Sequence, residues 1–271
     1  MKKPNNNRHA LTCLVTGASS GIGREFARQL AALGHNVLLV SNQAHELAET
    51  AAELSALHPG GRFPTFCIDL AAPGADTRLL EFCHTDGLEI DLLVNNAGIF
   101  SFCAVADTPP ERIDLFIDLH IRAVTHLCRT FAADMKRRGC HGYILNMSSM
   151  SCWMPMPGIA MYSATKAYIR VLSRSLAVEL ADDGITVMVA CPGGIATDLF
   201  GLPRRLQRLG VRLGVLSTPQ RFVAGALKRL LRHRRQYING PLNRIAIVAV
   251  ALLPHRLRLL IKHRLLDRLQ K

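Results

Sequence analysis

"TGASSGIGREFARQLAALG", residues 16 to 34, follows directly on the short β-favouring run "ALTCLV" at 10 to 15. Glycines at 17, 21 and 23 punctuate a turn, and Ile22, Phe26, Leu30 and Leu33 then recur at helical spacing. The stretch therefore reads as strand, glycine turn and amphipathic helix. In that order the glycines let the backbone come close to a bound group, and the helix's N–H groups and positive end face it. Such a corner suits a pyrophosphate, with Gly17, Ser19, Ser20, Gly21, Ile22 and Gly23 as candidate contacts. A structural turn would carry the same glycines; the strand before and the helix after favour the phosphate reading.

Working outward, the alternation repeats. "HNVLLV" (35–40), "TFCI" (65–68), "DLLV" (91–94), "YILNM" (143–147) and "TVMVA" (186–190) read as strands, separated by amphipathic stretches near 22–33, 45–57, 111–137, 160–181 and 219–232. This rhythm predicts an α/β fold of right-handed βαβ units, a parallel sheet with helices on both faces. The second strand ends in "SNQ", where a dinucleotide fold chooses between a ribose hydroxyl and a 2′-phosphate. Ser41, Asn42 and Gln43 include no acid to repel the phosphate, so NADP(H) is favoured over NAD(H). Arg24 is a candidate phosphate partner or simply a solvated charge. Asp69, closing "CID", can accept from an adenine amino group. Asn95, Asn96, Ala97 and Gly98 end the fourth strand either beside a cofactor or as an ordinary turn.

The 271 residues contain no Pro/Gly/Ser-rich linker, which predicts one catalytic domain over 1–240 and a C-terminal extension over 241–271. No apolar run approaches the roughly 18 residues of a membrane span, and the start lacks a secretory pattern, so a cytoplasmic protein is expected. Eight cysteines lie singly and eleven histidines form no HxxxH or HExxH cluster, which predicts reduced thiols and no metal. The net charge of +13 is uneven: residues 204–271 carry 17 Lys/Arg against one acid, Asp267, whereas residues 1–203 carry 16 against 19.

With "TGASSGIG" at 16–23, "NNAG" at 95–98, "SS" at 148–149, "YSATK" at 162–166 and "PGGIAT" at 192–197 in this order, the chain resembles the short-chain dehydrogenase/reductase family over most of residues 10–240. The resemblance implies a Rossmann-type doubly wound sheet of about seven strands, a bound nicotinamide nucleotide, and carbonyl reduction or alcohol oxidation. It places Pro192, Gly193, Ile195 and Thr197 around the nicotinamide, and Lys166 on its ribose. It also selects Ser149 over Ser148 through its spacing of 13 to Tyr162.

The residues support a matching chemistry. Tyr162 and Lys166 stand one helical turn apart on one face. A free phenol ionises near pH 10, and a neighbouring ammonium is expected to lower that value, letting Tyr162 exchange protons. Ser149 can donate to the substrate oxygen. Without the family pattern, a surface tyrosine beside a solvated lysine is the simpler reading. Where many family members carry an asparagine supporting a water chain to the lysine, this chain has His120, on an inward stripe of Ile113, Ile117, His120, Val124, Leu127 and Phe131. It is a candidate catalytic residue, holding a relay water or exchanging protons itself; the alternative is a hydrogen-bonded core histidine.

Residues 199–217 are expected to form a mobile lid. Leu206, Leu209, Leu213 and Leu216 recur on one side and Arg204, Arg208 and Arg212 on another, and an apolar lid would suit a lipophilic substrate. Beyond residue 240, a short apolar run (245–253) precedes a basic amphipathic segment with Leu257, Ile261, Leu265 and Leu269 one turn apart. It can lie on an anionic membrane surface, at the inner face, or pack on the domain or a dimer partner. The arginines lack interleaved aromatics, which disfavours nucleic acid. The expected activity is hydride transfer between nicotinamide and a secondary alcohol or ketone, such as a 3-oxoacyl chain, a 3-keto lipid or a steroid, by a dimer or tetramer. The alternative is a nucleotide-binding regulatory or scaffold protein without turnover.

Overall fold

The computed structural model describes residues 10–196, 203–212 and 216–263. Thr197, Leu213, Leu265, Leu269 and parts of the expected lid lie outside these. The first strand, β1 (Thr12–Thr16), is followed by the glycine turn and α1 (Gly21–Ala32). Then come β2 (Asn36–Ser41), α2 (Ala44–Leu57), β3 (Thr65–Cys67), α3 (Ala75–Thr85) and β4 (Leu92–Asn95). The second half holds α4 (Pro110–Ile117), α5 (Val124–Arg138), β5 (Tyr143–Met147), α6 (Ala160–Glu179) and β6 (Thr186–Ala190). It continues with α7 (Arg204–Arg212), α8 (Pro219–Leu230), β7 (Gln236–Tyr237), α9 (Pro241–Ala251) and α10 (His255–Ile261).

The strands form one seven-stranded sheet in the order β3-β2-β1-β4-β5-β6-β7, with every pair parallel. It is the doubly wound Rossmann-type sheet the sequence predicts. Alternate side chains of each strand enter different cores. Cys13, Val15, Val37 and Leu39 pack with Phe26, Leu30, Leu54 and Phe222 under α1, α2 and α8. Leu14, Leu38 and Val40 pack with Leu79, Leu127, Phe131 and Ile169 under α3, α5 and α6.

The connection from β3 crosses back over the sheet to β4, so β1 and β4 lie side by side with their following segments diverging. That opens a crevice at their C-terminal ends. Between α4 and α5 the chain makes a wide π turn, Asp118–Ala123. The turn resets the helical phase, so the expected stripe is off by one residue before it: Phe116 is buried and Ile117 is 40% exposed, whereas His120, Val124, Leu127 and Phe131 are buried. Such turns often mark functional positions.

Among the described residues no helix is long and apolar enough to cross a membrane.

Candidate active site

The glycine turn is built on a close approach of two backbone segments. Gly17 has φ +65°, the left-handed region that glycine tolerates, and a Cβ there would press on Asn96 Nδ2 and Ala97 Cα at 3.0 Å. A Cβ on Gly23 would overlap the Gly17 carbonyl oxygen. Thr16 ties this turn to the end of β4: the Asn96 and Ala97 N–H groups donate to its hydroxyl at 2.9 and 3.0 Å, and Asn96 Nδ2 donates to its carbonyl at 3.0 Å. Thr16 opens the quoted stretch, but its bracing role was not legible until β4 lay beside β1.

Above this corner lies a cleft of about 1370 Å³. Its wall includes Gly17, Ser19, Ser20, Gly21, Ile22, Ser41, Asn42, Asp69, Asn96, Ala97 and Gly98, eleven of the predicted cofactor contacts. A ligand pocket commonly measures about 300–1,000 Å³, so this one has room for a dinucleotide and a second molecule. Gly23 supports the turn from behind. Ser41 is buried and its hydroxyl lies 2.9 Å from that of Ser19, while also accepting from the Gln43 N–H. Asp69 accepts from the Ala71 N–H at 2.9 Å and faces solvent at the rim. Arg24 is engaged differently from the expected 2′-phosphate role. Its guanidinium is held by Glu53 of α2, 3.1 Å from Nε, and it is not part of the cleft wall.

Tyr162, Ser149 and Lys166 come together as predicted in spacing, but behind the wall rather than on it: they are 6%, 8% and 5% exposed. Lys166 Nζ lies 5.6 Å from the Tyr162 ring centroid and donates to the Met147 carbonyl at 3.1 Å. The ring of Phe100 packs edge-on against Tyr162 at 5.1 Å. Ser148 and Ser149 divide clearly. Ser148 donates to the Lys166 carbonyl at 2.7 Å, bracing α6, whereas Ser149 caps the following turn and hydrogen-bonds Tyr162.

The electrostatics differ from expectation. Burial pushes the Tyr162 phenol up to about 12; the Ser149 hydrogen bond opposes this and Cys152 adds to it. Lys166 is brought down to about 8 by burial, with Cys191 opposing. Desolvation thus outweighs the Ser149 hydrogen bond, and the phenol holds its proton at neutral pH.

His120 is fully buried, and both ring nitrogens are taken by protein groups. Nε2 accepts from the Ile99 N–H at 3.0 Å, so the neutral ring carries its proton on Nδ1, which donates to Thr165 Oγ1 at 2.9 Å. The Thr165 hydroxyl in turn donates to the Tyr162 carbonyl at 3.0 Å. Burial first, then Lys166 and Arg112, push the imidazole down to about 2. The proton-exchanging version of His120 therefore does not fit. Its ring instead links the loop after β4 to the first turn of α6, and it packs so tightly on Gly98 that a Cβ there would lie 2.9 Å from Nε2 and 3.5 Å from Lys166 Nζ. Sequence reasoning missed Thr165, although it stands inside "YSATK".

Pro192, Gly193 and Ile195 are buried beneath Ala196, which itself lines the cleft. The Gly193 N–H donates to Asn239 at 2.8 Å.

Helix α7 overturns the expected apolar lid. Arg204, Gln207, Arg208, Val211 and Arg212 line the cleft, and Leu206 and Leu209 turn outward, 50% and 52% exposed. At 100° per residue the five lining positions share one side and the two leucines the other.

The fold, the glycine corner and the gathered Ser-Tyr-Lys set agree with what known sequences report. The pattern described as short chain dehydrogenase matches residues 11–205. The chain belongs to the short-chain dehydrogenase family. Within that family it is 33% identical over 185 residues to a probable oxidoreductase, EphD, of Mycobacterium tuberculosis, covering 68% of this chain and 31% of that protein. It is 32% identical to a very-long-chain 3-oxoacyl-CoA reductase of Pyricularia oryzae, covering 80% and 64%, and 29% identical to 17-beta-hydroxysteroid dehydrogenase type 3 of Danio rerio, covering 80% and 69%. The chain thus spans about a third of the first relative's length. Among solved structures, a short-chain dehydrogenase from Sphingobium yanoikuyae in complex with NADPH superposes with a TM-score of 0.76 at 28% identity, covering 90% of this chain and 97% of that one.

Proposed function

We propose that this protein is an NAD(P)(H)-dependent oxidoreductase that interconverts a lipophilic ketone and its secondary alcohol, with reduction the direction its phenol favours. The observation that carries this is the gathering of Ser149, Tyr162 and Lys166 against the Gly98 end of a dinucleotide-sized cleft. The glycine corner fits a pyrophosphate, since side chains at Gly17 or Gly23 would fill the space the backbone needs.

A bound nicotinamide supplies or takes the hydride. Tyr162, protonated through neutral pH, gives its proton to the substrate oxygen as charge develops there, and Ser149 donates to the same oxygen. Lys166 keeps a positive charge beside the phenol and holds the nicotinamide ribose, anchored by the Met147 carbonyl. Neutral His120 is a positioning residue: it fixes Gly98, Ile99 and the Tyr162 turn against one another. Asn42, Asp69, Asn96 and Ala97 hold the nucleotide from the remaining walls, with Pro192, Gly193 and Ile195 on the nicotinamide side.

The acid-free end of β2 supports NADP(H) over NAD(H), and the structural neighbours include NADPH complexes. The lipophilic substrate is supported by Ile99, Leu115 and Leu119 in the cleft and by relatives named for 3-oxoacyl-CoA and hydroxysteroid chemistry. Residues 1–240 are the catalytic domain in this reading. In the extension, α9 exposes Leu242, Ile245, Val248 and Leu252, and α10 exposes Leu257, Leu259 and Leu260 beside Arg256 and Lys262. That face supports docking on an anionic membrane from the cytoplasm; flotation with anionic vesicles at physiological salt tests it, and a dimer or tetramer covering the face is the competing outcome.

The function is tested by following oxidation of NADPH and of NADH against a graded panel of 3-oxoacyl, sphingoid and steroid ketones. Turnover with NADPH preferred is the expected result. Dinucleotide binding without turnover of any ketone would instead support a nucleotide-binding scaffold.

A further inference from the structure

The basic side of α7 has no role in the chemistry above, and its placement is specific. Arg204, Arg208 and Arg212 stand at successive turns, spanning about 12 Å along the helix, and all three line the cleft. They are exposed, and among the described residues none has a carboxylate partner; among the described residues of the cleft wall the only carboxylate is Asp69, already bonded to its own turn. Other arginines near the nucleotide corner are paired: Arg24 and Arg28 share Glu53. A row of uncompensated guanidinium groups facing a cavity is suited to phosphoryl oxygens, which accept their planar fork of donors. Ile99, Leu115 and Leu119 line the same cleft with apolar side chains. The cleft thus has both a charged and an oily lining, which a purely apolar ketone would leave half unmatched.

We propose that the α7 arginines form a phosphoryl-binding wall, and that the substrate is amphiphilic, an acyl chain with its carbonyl borne on a phosphate-containing carrier. This rests on the oxidoreductase reading and narrows its substrate class. The other source of the same phosphoryl chemistry is the dinucleotide itself, through its 2′-phosphate or pyrophosphate.

The test compares the wild-type protein with R204Q/R208Q/R212Q, with the melting temperature confirming that this exposed triple change leaves the fold intact. Three quantities are read: the NADPH dissociation constant, kcat/KM for a 3-oxoacyl-CoA, and kcat/KM for the same acyl chain on N-acetylcysteamine, which has no phosphate. The expected result is a fall of about tenfold or more in kcat/KM for the CoA ester, weakening further with added salt in the wild type, while the other two quantities hold. A comparable rise in the NADPH dissociation constant, with both esters slowed alike, keeps the phosphoryl wall and assigns it to the dinucleotide. Unchanged values in all three overturn the proposal while leaving the oxidoreductase reading intact. If the wild type turns over neither ester nor any ketone, that reading falls, and NADPH binding alone still decides whether the arginines hold phosphate.

Discussion

The two walls of the cleft are built on opposite principles. On the β-sheet side the groups that hold the reacting centre are tied to one another: the Thr16 hydroxyl takes two backbone donors, both His120 nitrogens are bonded, and Ser148 braces Lys166. On the α7 side Arg204, Arg208 and Arg212 have no carboxylate partner among the described residues, and Leu206 and Leu209 face outward. The sheet side is preorganised, so that little must be rearranged when charge develops on a substrate oxygen. The α7 side keeps its interactions for whatever arrives. Substitutions on the first wall should therefore damage stability and chemistry together, and those on the second should alter binding alone.

The sharpest attempt to break this contrast is Gly23→Ala. Its methyl group would overlap the Gly17 carbonyl and press on Asn96, so the turn must open. Overpacking of this kind costs about 1–3 kcal/mol of stability, and quenching by NADPH should disappear with it. Normal nucleotide affinity would show that the corner is slack.

Next in size is the serine pair. Ser149→Ala removes a donor to the developing oxyanion and should lower kcat by about 10²–10³-fold with NADPH affinity unchanged. Ser148→Ala removes a brace on α6 and should lower the melting temperature more than Ser149→Ala does. An exchange of these two outcomes would reverse the assignment.

A smaller effect distinguishes positioning from proton exchange at His120. Its folded-state pKa is depressed to about 2, so the unfolded chain binds the extra proton as pH falls through about 6.5, and stability is lost from there downward. By pH 5 the loss relative to pH 7.5 should be about 2 kcal/mol, and it should be absent in His120→Asn. The pH–rate profile of that variant should keep its shape, since the ring is neutral throughout. A displaced acid limb would restore His120 as a proton carrier.

Smallest of all, Leu206→Ser with Leu209→Ser on the outer side of α7 should change stability by about 0.5 kcal/mol or less and leave turnover alone.

Much of this architecture can be read from the residues, and the exceptions have physical causes. Six strands declare themselves as apolar runs; β7, only Gln236–Tyr237, is too short to have a pattern. Helix α3 buries Ala75, Asp76, Leu79 and Cys83, too mixed a set to read as an apolar stripe. The π turn escapes any analysis that assumes 3.6 residues per turn, which is why Ile117 was expected inside and Phe116 is found there. At the site, chain spacing brings Tyr162 to Lys166, but the Tyr162 proton affinity depends on burial that only the folded chain creates. Likewise the leucine repeat of α7 is plain in sequence, while the choice of which side meets the cleft is made by packing around it.

The most direct test of the whole account is Tyr162→Phe, assayed for NADPH binding and for turnover of the best ketone in the panel. The phenol is the proton donor, so binding should persist while kcat falls by about 10²–10⁴-fold. A phenylalanine protein that binds NADPH and reduces the ketone at a near-normal rate would contradict it.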